Sequence, residues 1–345
     1  MKARPSHCIL TVKDSPTAPM SLIRFLTQRA LLKRRGFLIA LCALLGFLAL
    51  NAGIVAAIAA GSHFRASNWP GPSFVFWPQR SWQSVQGRLE ALPRSSRLTR
   101  GLLGMVSYRG ASFSVPLISF RAAAQEARPL KVLLVSGVHG TETSGVEALL
   151  SLAGELAREP SMWPAAAIDI VPVANPWGWV YGYRYNGDGE DMNRDFASGR
   201  TREAAMIREL IRKNGPYDLV MDLHESKKYG YFIYQYLPQG PGLGEEYANI
   251  LRDLGKPAQE NYREGIFRAR GGVLRIPAAA LPWIAAAGRL SLEHYARLHG
   301  TRQSYTVETP LWDEFPERVL VHRRTVAAFI ASVESARDPS TQLSR

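Results

Sequence analysis

Apolar residues along this chain fall into short runs divided by turns, and the spacing within the runs changes from segment to segment. Lys131 to Ser136 (KVLLVS) is a compact Val/Leu run, and Asp218 to Leu223 (DLVMDL) is another. Short apolar runs bounded by Gly and polar residues predict strands buried on both faces. Helical spacing follows the first run: Val146, Leu149, Leu150 and Leu152 predict a helix over 144–157, with Thr143 and Ser144 as caps. Alternation over Met105 to Phe120, broken at Arg109-Gly110, predicts a hairpin. A short helix and loop are expected over Arg88 to Leu98. Beyond these, strands are predicted over 168–173, 218–223, 231–236 and 304–308, and helices over 201–213, 244–254, 290–299 and 316–335. The succession predicts an α/β domain with a mixed, mostly parallel central sheet and helices on both faces.

The N-terminal pattern is different. Residues 36–60, GFLIALCALLGFLALNAGIVAAIAA, carry no charge, and Asn51 is their only strongly polar side chain. At about 1.5 Å per residue such a stretch exceeds the roughly 30 Å hydrocarbon core, so one membrane-spanning helix is expected. Before it lie Lys2, Arg4, Lys13, Arg24, Arg29, Lys33, Arg34 and Arg35 against Asp14 alone. That asymmetry predicts a cytoplasmic N-terminus and an exported remainder, single-pass in an inner or plasma membrane. Ala57-Ile58-Ala59 has the form of a signal-peptidase site, so secretion after cleavage near Ala59 is the alternative to an uncleaved signal anchor. The expected organisation is a basic arm (1–35), the span (36–60), a Trp/Pro/Ser-rich linker leading into the domain (61–100), the folded domain (101–336) and a tail (337–345).

Composition refines this picture in two ways. The formal charge of +13 over 345 residues belongs in large part to the arm, so it signals topology more than a polyanionic partner. No stacking-aromatic strand motif or zinc-finger spacing is present, and no nucleic-acid partner is expected. Both cysteines, Cys8 and Cys42, precede the exported part, which excludes disulfides and a thiol nucleophile there.

The candidate chemistry lies where two predicted strands end. His139 and Glu142 form H-x-x-E just after the first, and His224 closes the second. Gly137 and Gly140 allow the turn that carries His139. Two imidazoles and one carboxylate are a ligand set for a catalytic zinc ion that keeps a fourth position for water, which points to a metallohydrolase. Sites in open α/β sheets collect at the carboxyl ends of strands. His63, His294, His299 and His322 are expected to lie on surfaces, the middle two on a helix.

Further motifs extend the set. Val173 to Phe196, VANPWGWVYGYRYNGDGEDMNRDF, contains N-P-x-G, an Arg nine residues later and a D-x-N-R-x-F ending, and SYTVETP places Glu308 at the end of a β-branched run. In this order the motifs resemble the zinc carboxypeptidase A superfamily, over roughly Gly101 to Ala336. The H-G-T-E form and the compact spacing of the two histidines resemble the branch of succinylglutamate desuccinylase, aspartoacylase and the murein-peptide amidases. The resemblance implies one zinc ion held by His139, Glu142 and His224, and Asp191 orienting the first histidine. It implies Glu308 as general base, Arg184 polarising the scissile carbonyl, and Asn193 with Arg194 gripping a substrate carboxylate. The superfamily's mobile tyrosine has no clear counterpart; Tyr262 and Tyr295 are the nearest candidates. Trp177 and Glu225 stand where the family has Asp and a small hydroxyl residue.

The expected function is therefore a membrane-anchored, zinc-dependent amide or peptide hydrolase of carboxypeptidase type. Its substrate is expected to be a peptide, a cell-wall peptide included, that carries a free carboxylate. The alternatives are an N-acyl amino acid deacylase using the same zinc machinery, or a non-catalytic binding protein on the same fold.

Overall fold

The computed structural model describes residues 36–50, 75–123, 126, 128–159, 161–237, 242–286 and 290–337. The chain divides into two units, Met1–Ile54 and Val55–Arg345. In the first, α1 (residues 36–50) is a helix with exposed apolar side chains, Phe37, Ile39 and Leu50 among them. At about 1.5 Å per residue the described part of α1 runs roughly 22 Å. Among the described residues no helix is long and apolar enough to cross a membrane, and positions 51–60 of the expected span lie outside them.

The second unit is built on a ten-stranded sheet in the order β1-β2-β4-β3-β5-β10-β6-β9-β8-β7. Its strands are β1 (Leu98–Tyr108), β2 (Ala111–Phe120), β3 (Leu130–Ser136), β4 (Ala166–Val171) and β5 (Leu219–Ser226). These are followed by β6 (Phe232–Leu237), β7 (Arg263–Glu264), β8 (Phe267–Arg270), β9 (Val273–Pro277) and β10 (Gln303–Pro310). The predicted hairpin forms as β1 and β2, with Arg109 and Gly110 both at positive φ in its two-residue turn. The expectation of a mostly parallel sheet is corrected. Parallel pairing joins β4-β3-β5-β10 and β6-β9, whereas the other five of the nine pairings are antiparallel. For three of these, β1–β2, β7–β8 and β8–β9, the reason is a tight turn, which only antiparallel neighbours permit. The helix expected over 88–98 also moves: α2 is Trp82–Glu90, started by Ser81, whose hydroxyl accepts from the Ser84 N–H.

Helices cover both faces. On one side α3 (Ser144–Arg158), α6 (Gly244–Asp253) and α9 (Phe315–Ser335) pack Leu149, Leu156, Tyr247, Phe329 and Ile330 against Val132, Leu134, Met221 and Val307. On the other, α2, α4 (Pro176–Tyr181), α5 (Arg202–Asn214) and α8 (Leu292–Leu298) pack Trp82, Trp177, Ile207 and Leu292 against Leu133, Val135 and Val220. The strand alternation sends Leu133 and Val135 to one layer and Val132 and Leu134 to the other, which is why KVLLVS reads as an unbroken apolar run. Between β9 and α8, the short helix α7 (Leu281–Ala286) completes the domain.

One close approach fixes the start of α3. A Cβ on Gly145 would lie 2.8 Å from Leu223 Cβ and 3.0 Å from the Leu223 carbonyl oxygen. Gly145→Ala gains about 1 kcal/mol of helix propensity but overpacks this contact, at a cost of about 1–3 kcal/mol. We expect a net loss of stability, read as a lower urea midpoint with an unchanged m-value.

Candidate metal centre

His139 leaves the end of β3 on a turn locked to the loop after β4. Ala174 and Asn175 donate their N–H groups to the Ser136 and Gly137 carbonyls at 3.0 and 2.9 Å, and the Gly140 N–H donates to the Arg184 carbonyl at 3.2 Å. A Cβ at Gly140 would meet the Gly178 carbonyl carbon at 1.9 Å, so the two backbones are in contact and no larger residue fits. The Glu142 N–H donates to the His139 carbonyl at 3.0 Å, which turns both side chains toward the same point.

His224 arrives from β5. Strand alternation places it on the same face as Asp222, while Glu308 on β10 is its register partner in the parallel pair. Three predicted ligands therefore converge. The His139 Nδ1 lies 2.8 Å from Glu142 Oε1, and the His224 Nδ1 lies 2.7 Å from Glu142 Oε2 and 3.1 Å from His139 Nδ1. All three residues are buried, and their ligand atoms lie within 4.8 Å of one another.

The outer nitrogens decide what this cluster can hold. His139 Nε2 faces Asp191 Oδ1 at 3.3 Å, and His224 Nε2 faces Asp222 Oδ2 at 2.8 Å. A carboxylate accepts from an N–H, so each Nε2 carries the proton and each Nδ1 presents a lone pair. Two lone pairs 3.1 Å apart beside a carboxylate repel unless a cation lies among them. The donor set thus fits a metal ion, and two imidazoles with one carboxylate is a ligand chemistry that suits zinc. Without an ion, protons take that role. Burial opposes charging His224, but Asp222 and Glu142 overcome it and hold its pKa well above the usual histidine range. Burial would raise Glu142, but the two imidazoles hold it well below the usual carboxylate range.

The remaining predicted residues surround this point. Arg184, with a partly exposed side chain, donates from NH1 to Glu142 Oε1 at 3.0 Å and lies 3.8 Å from Asp191 Oδ2. Asp191 caps the turn Met192–Arg194 by accepting the Asn193 N–H at 3.0 Å. Asn193 Oδ1 accepts the Leu292 N–H at 3.2 Å, and its Nδ2 lies 3.4 Å from His224 Nε2. Arg194 donates to the Asn193 carbonyl at 2.9 Å. Burial alone would lower its pKa; Asp191, Tyr234, Glu264 and Glu293 overcome that and raise it. Burial pushes the Glu308 carboxyl up to about 8, with His224 and Arg184 opposing and Glu142 assisting.

The two tyrosine candidates separate. Tyr295 is buried and stacks on His299 with ring centroids 3.9 Å apart. Tyr262 packs 4.8 Å from Phe232, the register partner of Glu308, and its hydroxyl lies 2.8 Å from that of Tyr234. Two surface expectations fail: His294 is mostly buried and hydrogen-bonds Tyr236 and Ser291, and His322 is fully buried with Nε2 3.1 Å from Thr309 Oγ1. His63 lies outside the described residues. Asp222 was missed, although D-x-H at the end of a strand is a readable signal, because i and i+2 share a face.

Comparisons with known proteins agree with this geometry. Residues 129–264 match the family described as succinylglutamate desuccinylase/aspartoacylase catalytic domain. Over 182 residues the chain is 30% identical to carboxypeptidase 2 of Trichophyton rubrum, covering 48% of this chain and 33% of that protein. The chain thus spans about a third of the length of the curated relative it matches. In fold it resembles carboxypeptidase A of Helicoverpa armigera, at TM-score 0.55 and 19% identity over 85% of this chain and 81% of that one. It also resembles a metallo-carboxypeptidase of Pseudomonas aeruginosa in complex with (2-guanidinoethylmercapto)succinic acid, at TM-score 0.54 and 17% identity over 74% and 69%. The fold is that of these solved carboxypeptidases, and the His139, Glu142 and His224 group could hold a metal ion. The resemblance is thus to the succinylglutamate desuccinylase/aspartoacylase catalytic domain over residues 129–264 and, in fold, to metallocarboxypeptidases.

Two outcomes follow for the site. A carboxyl raised on folding contributes stability that is fully present below its unfolded pKa and is lost as pH rises through the folded value. For Glu308 that window runs from 4.5 to about 8. In chelator-treated protein, Glu308→Gln should gain melting temperature over the parent progressively as pH rises through this window, measured by scanning fluorimetry. Asp222→Asn should weaken zinc binding by about 10–100-fold in chelator competition.

Proposed function

We propose that the domain is a metal-dependent hydrolase of amide bonds, of carboxypeptidase type, acting on a peptide or N-acyl amino acid that carries a free carboxylate. The observation that carries the reading is the convergence of two Nδ1 atoms on the Glu142 carboxylate, with Glu308 the register partner of His224 on the neighbouring strand. His139, Glu142 and His224 would hold the zinc ion. When bound, such an ion activates water, polarises a carbonyl and lowers the pKa of nearby carboxyls, Glu308 included.

Glu308 takes the proton from the attacking water and returns it to the leaving amine. Burial raises its pKa in the metal-free protein and a bound cation would lower it, so the two effects act in opposite directions on the group that carries the proton. Arg184 sits beside Glu142 with its guanidinium partly exposed, which suits it to donate to the developing oxyanion. Arg194 supplies the cation for a substrate carboxylate. Asn193 is anchored to α8 through its Oδ1, which accepts the Leu292 N–H, and its Nδ2 is the group that would donate to the substrate carboxylate. The succinic-acid ligand of the Pseudomonas aeruginosa relative supports a carboxylate-bearing substrate.

Deacylation of N-acyl amino acids uses the same groups and is the second reading, favoured by the family matched over residues 129–264. We further propose that residues 36–60 anchor the protein in a membrane with the domain outside the cytoplasm, where cell-wall peptides are available. The support is the uncharged stretch and the basic arm before it; carbonate extraction and protease accessibility test it.

Incubation with a panel of peptides and N-acyl amino acids, followed by mass spectrometry, should show chelator-sensitive cleavage. Release of a C-terminal residue supports the first reading and loss of a small acyl group the second; no cleavage of any amide overturns both. Glu308→Gln should lower turnover by about 10²–10⁴-fold and keep one zinc per chain by elemental analysis. Arg184→Ala should cost about 10²–10³-fold in kcat.

A further inference from the structure

Glu225 follows a metal-ligand position and points the other way. Strand alternation turns it from the His224 face of β5 to the face covered by α3 and α9. There its side chain is fully buried, and a buried carboxylate is costly unless it is paired and hydrogen-bonded. It has three partners. The Thr143 N–H and the Ser144 N–H, the latter at 3.0 Å, donate to Oε2, and the Arg318 guanidinium pairs with Oε1. Arg318 is itself mostly buried and lies over the Phe315 ring.

The contacts converge on the carboxylate ligand. Glu225 donates its own backbone N–H to Glu142 Oε2 at 3.1 Å, while its side chain grips the two N–H groups directly after Glu142. The hydroxyl of Thr143, the residue before α3, makes no capping bond, so the end of α3 that adjoins Glu142 is capped from another strand. Glu142 is thus held from two sides by one residue that reaches no substrate.

We infer that Glu225, charge-balanced by Arg318, is a positioning residue that fixes the orientation of the Glu142 carboxylate toward the two imidazoles. This rests on the metal-centre reading. A helix cap of ordinary kind would contribute stability only. A positioning residue also sets the geometry of the bound ion.

The test compares two paired variants that both remove the buried charges. Glu225→Gln/Arg318→Met keeps an oxygen facing the Thr143 and Ser144 N–H groups, whereas Glu225→Ala/Arg318→Met does not. Each is loaded with Co²⁺ and read by its visible absorption spectrum, by chelator competition and by melting temperature with the metal removed. The Gln variant should retain the parent spectrum and affinity within about 3-fold. The Ala variant should bind about 10–100-fold more weakly with an altered spectrum. Equal affinity and spectrum in the two variants overturns the inference, as does an affinity loss that tracks melting temperature alone. If the Ala variant does not fold, Glu225→Asn/Arg318→Met replaces it, its amide being one methylene too short to reach the same N–H groups. A parent chain that takes up no Co²⁺ would instead sink the metal-centre reading itself.

Discussion

The arrangement depends on an electrostatic constraint: two imidazoles are pressed together through the nitrogens that carry lone pairs. Asp191 and Asp222 occupy the outer nitrogens, so the inner ones cannot both donate, and the Glu142 carboxylate adds negative charge to the same space. Such a cluster is favourable only around positive charge. Protons supply it in the free protein, which is why the His224 pKa is high and that of Glu142 low. A divalent ion supplies it with one particle, and its binding must displace those protons, so affinity falls with pH.

The fold exists around that point in a specific sense. β3, β5 and β10 are neighbouring parallel strands, and their carboxyl ends deliver His139, His224 and Glu308 to one rim. Each strand is covered on both faces, so backbone placement is set by apolar packing that the polar rim need not provide. The two layers then take different tasks. The α2/α4/α5/α8 side carries the loops with Arg184, Asp191 and Asn193, and the α3/α9 side carries Glu225 and Arg318 behind the ligands.

Residues whose role follows from strand order and periodicity were legible in the sequence. KVLLVS and DLVMDL ended where the histidines begin, and the burial of both faces made their apolar runs unmistakable. The ligands, Asp191 and Glu308 came with recurring motifs. The sheet's antiparallel outer half was not legible, because β7, β8 and β9 are two to five residues long and carry several Arg, which hides their alternation. Asp222 and Glu225 escaped for a different reason. One reads as a polar interruption in an apolar strand and the other as a departure from a family pattern, and only three-dimensional pairing gives them roles. The same holds for His294 and His322, whose neighbours come from distant segments.

X-ray absorption at the zinc edge of the purified, zinc-loaded protein tests the central claim most directly. One zinc per chain is expected, with two imidazole nitrogens at about 2.0–2.1 Å and the rest of its ligands oxygen. A substoichiometric metal content, or an all-oxygen shell with no imidazole scattering, would contradict it.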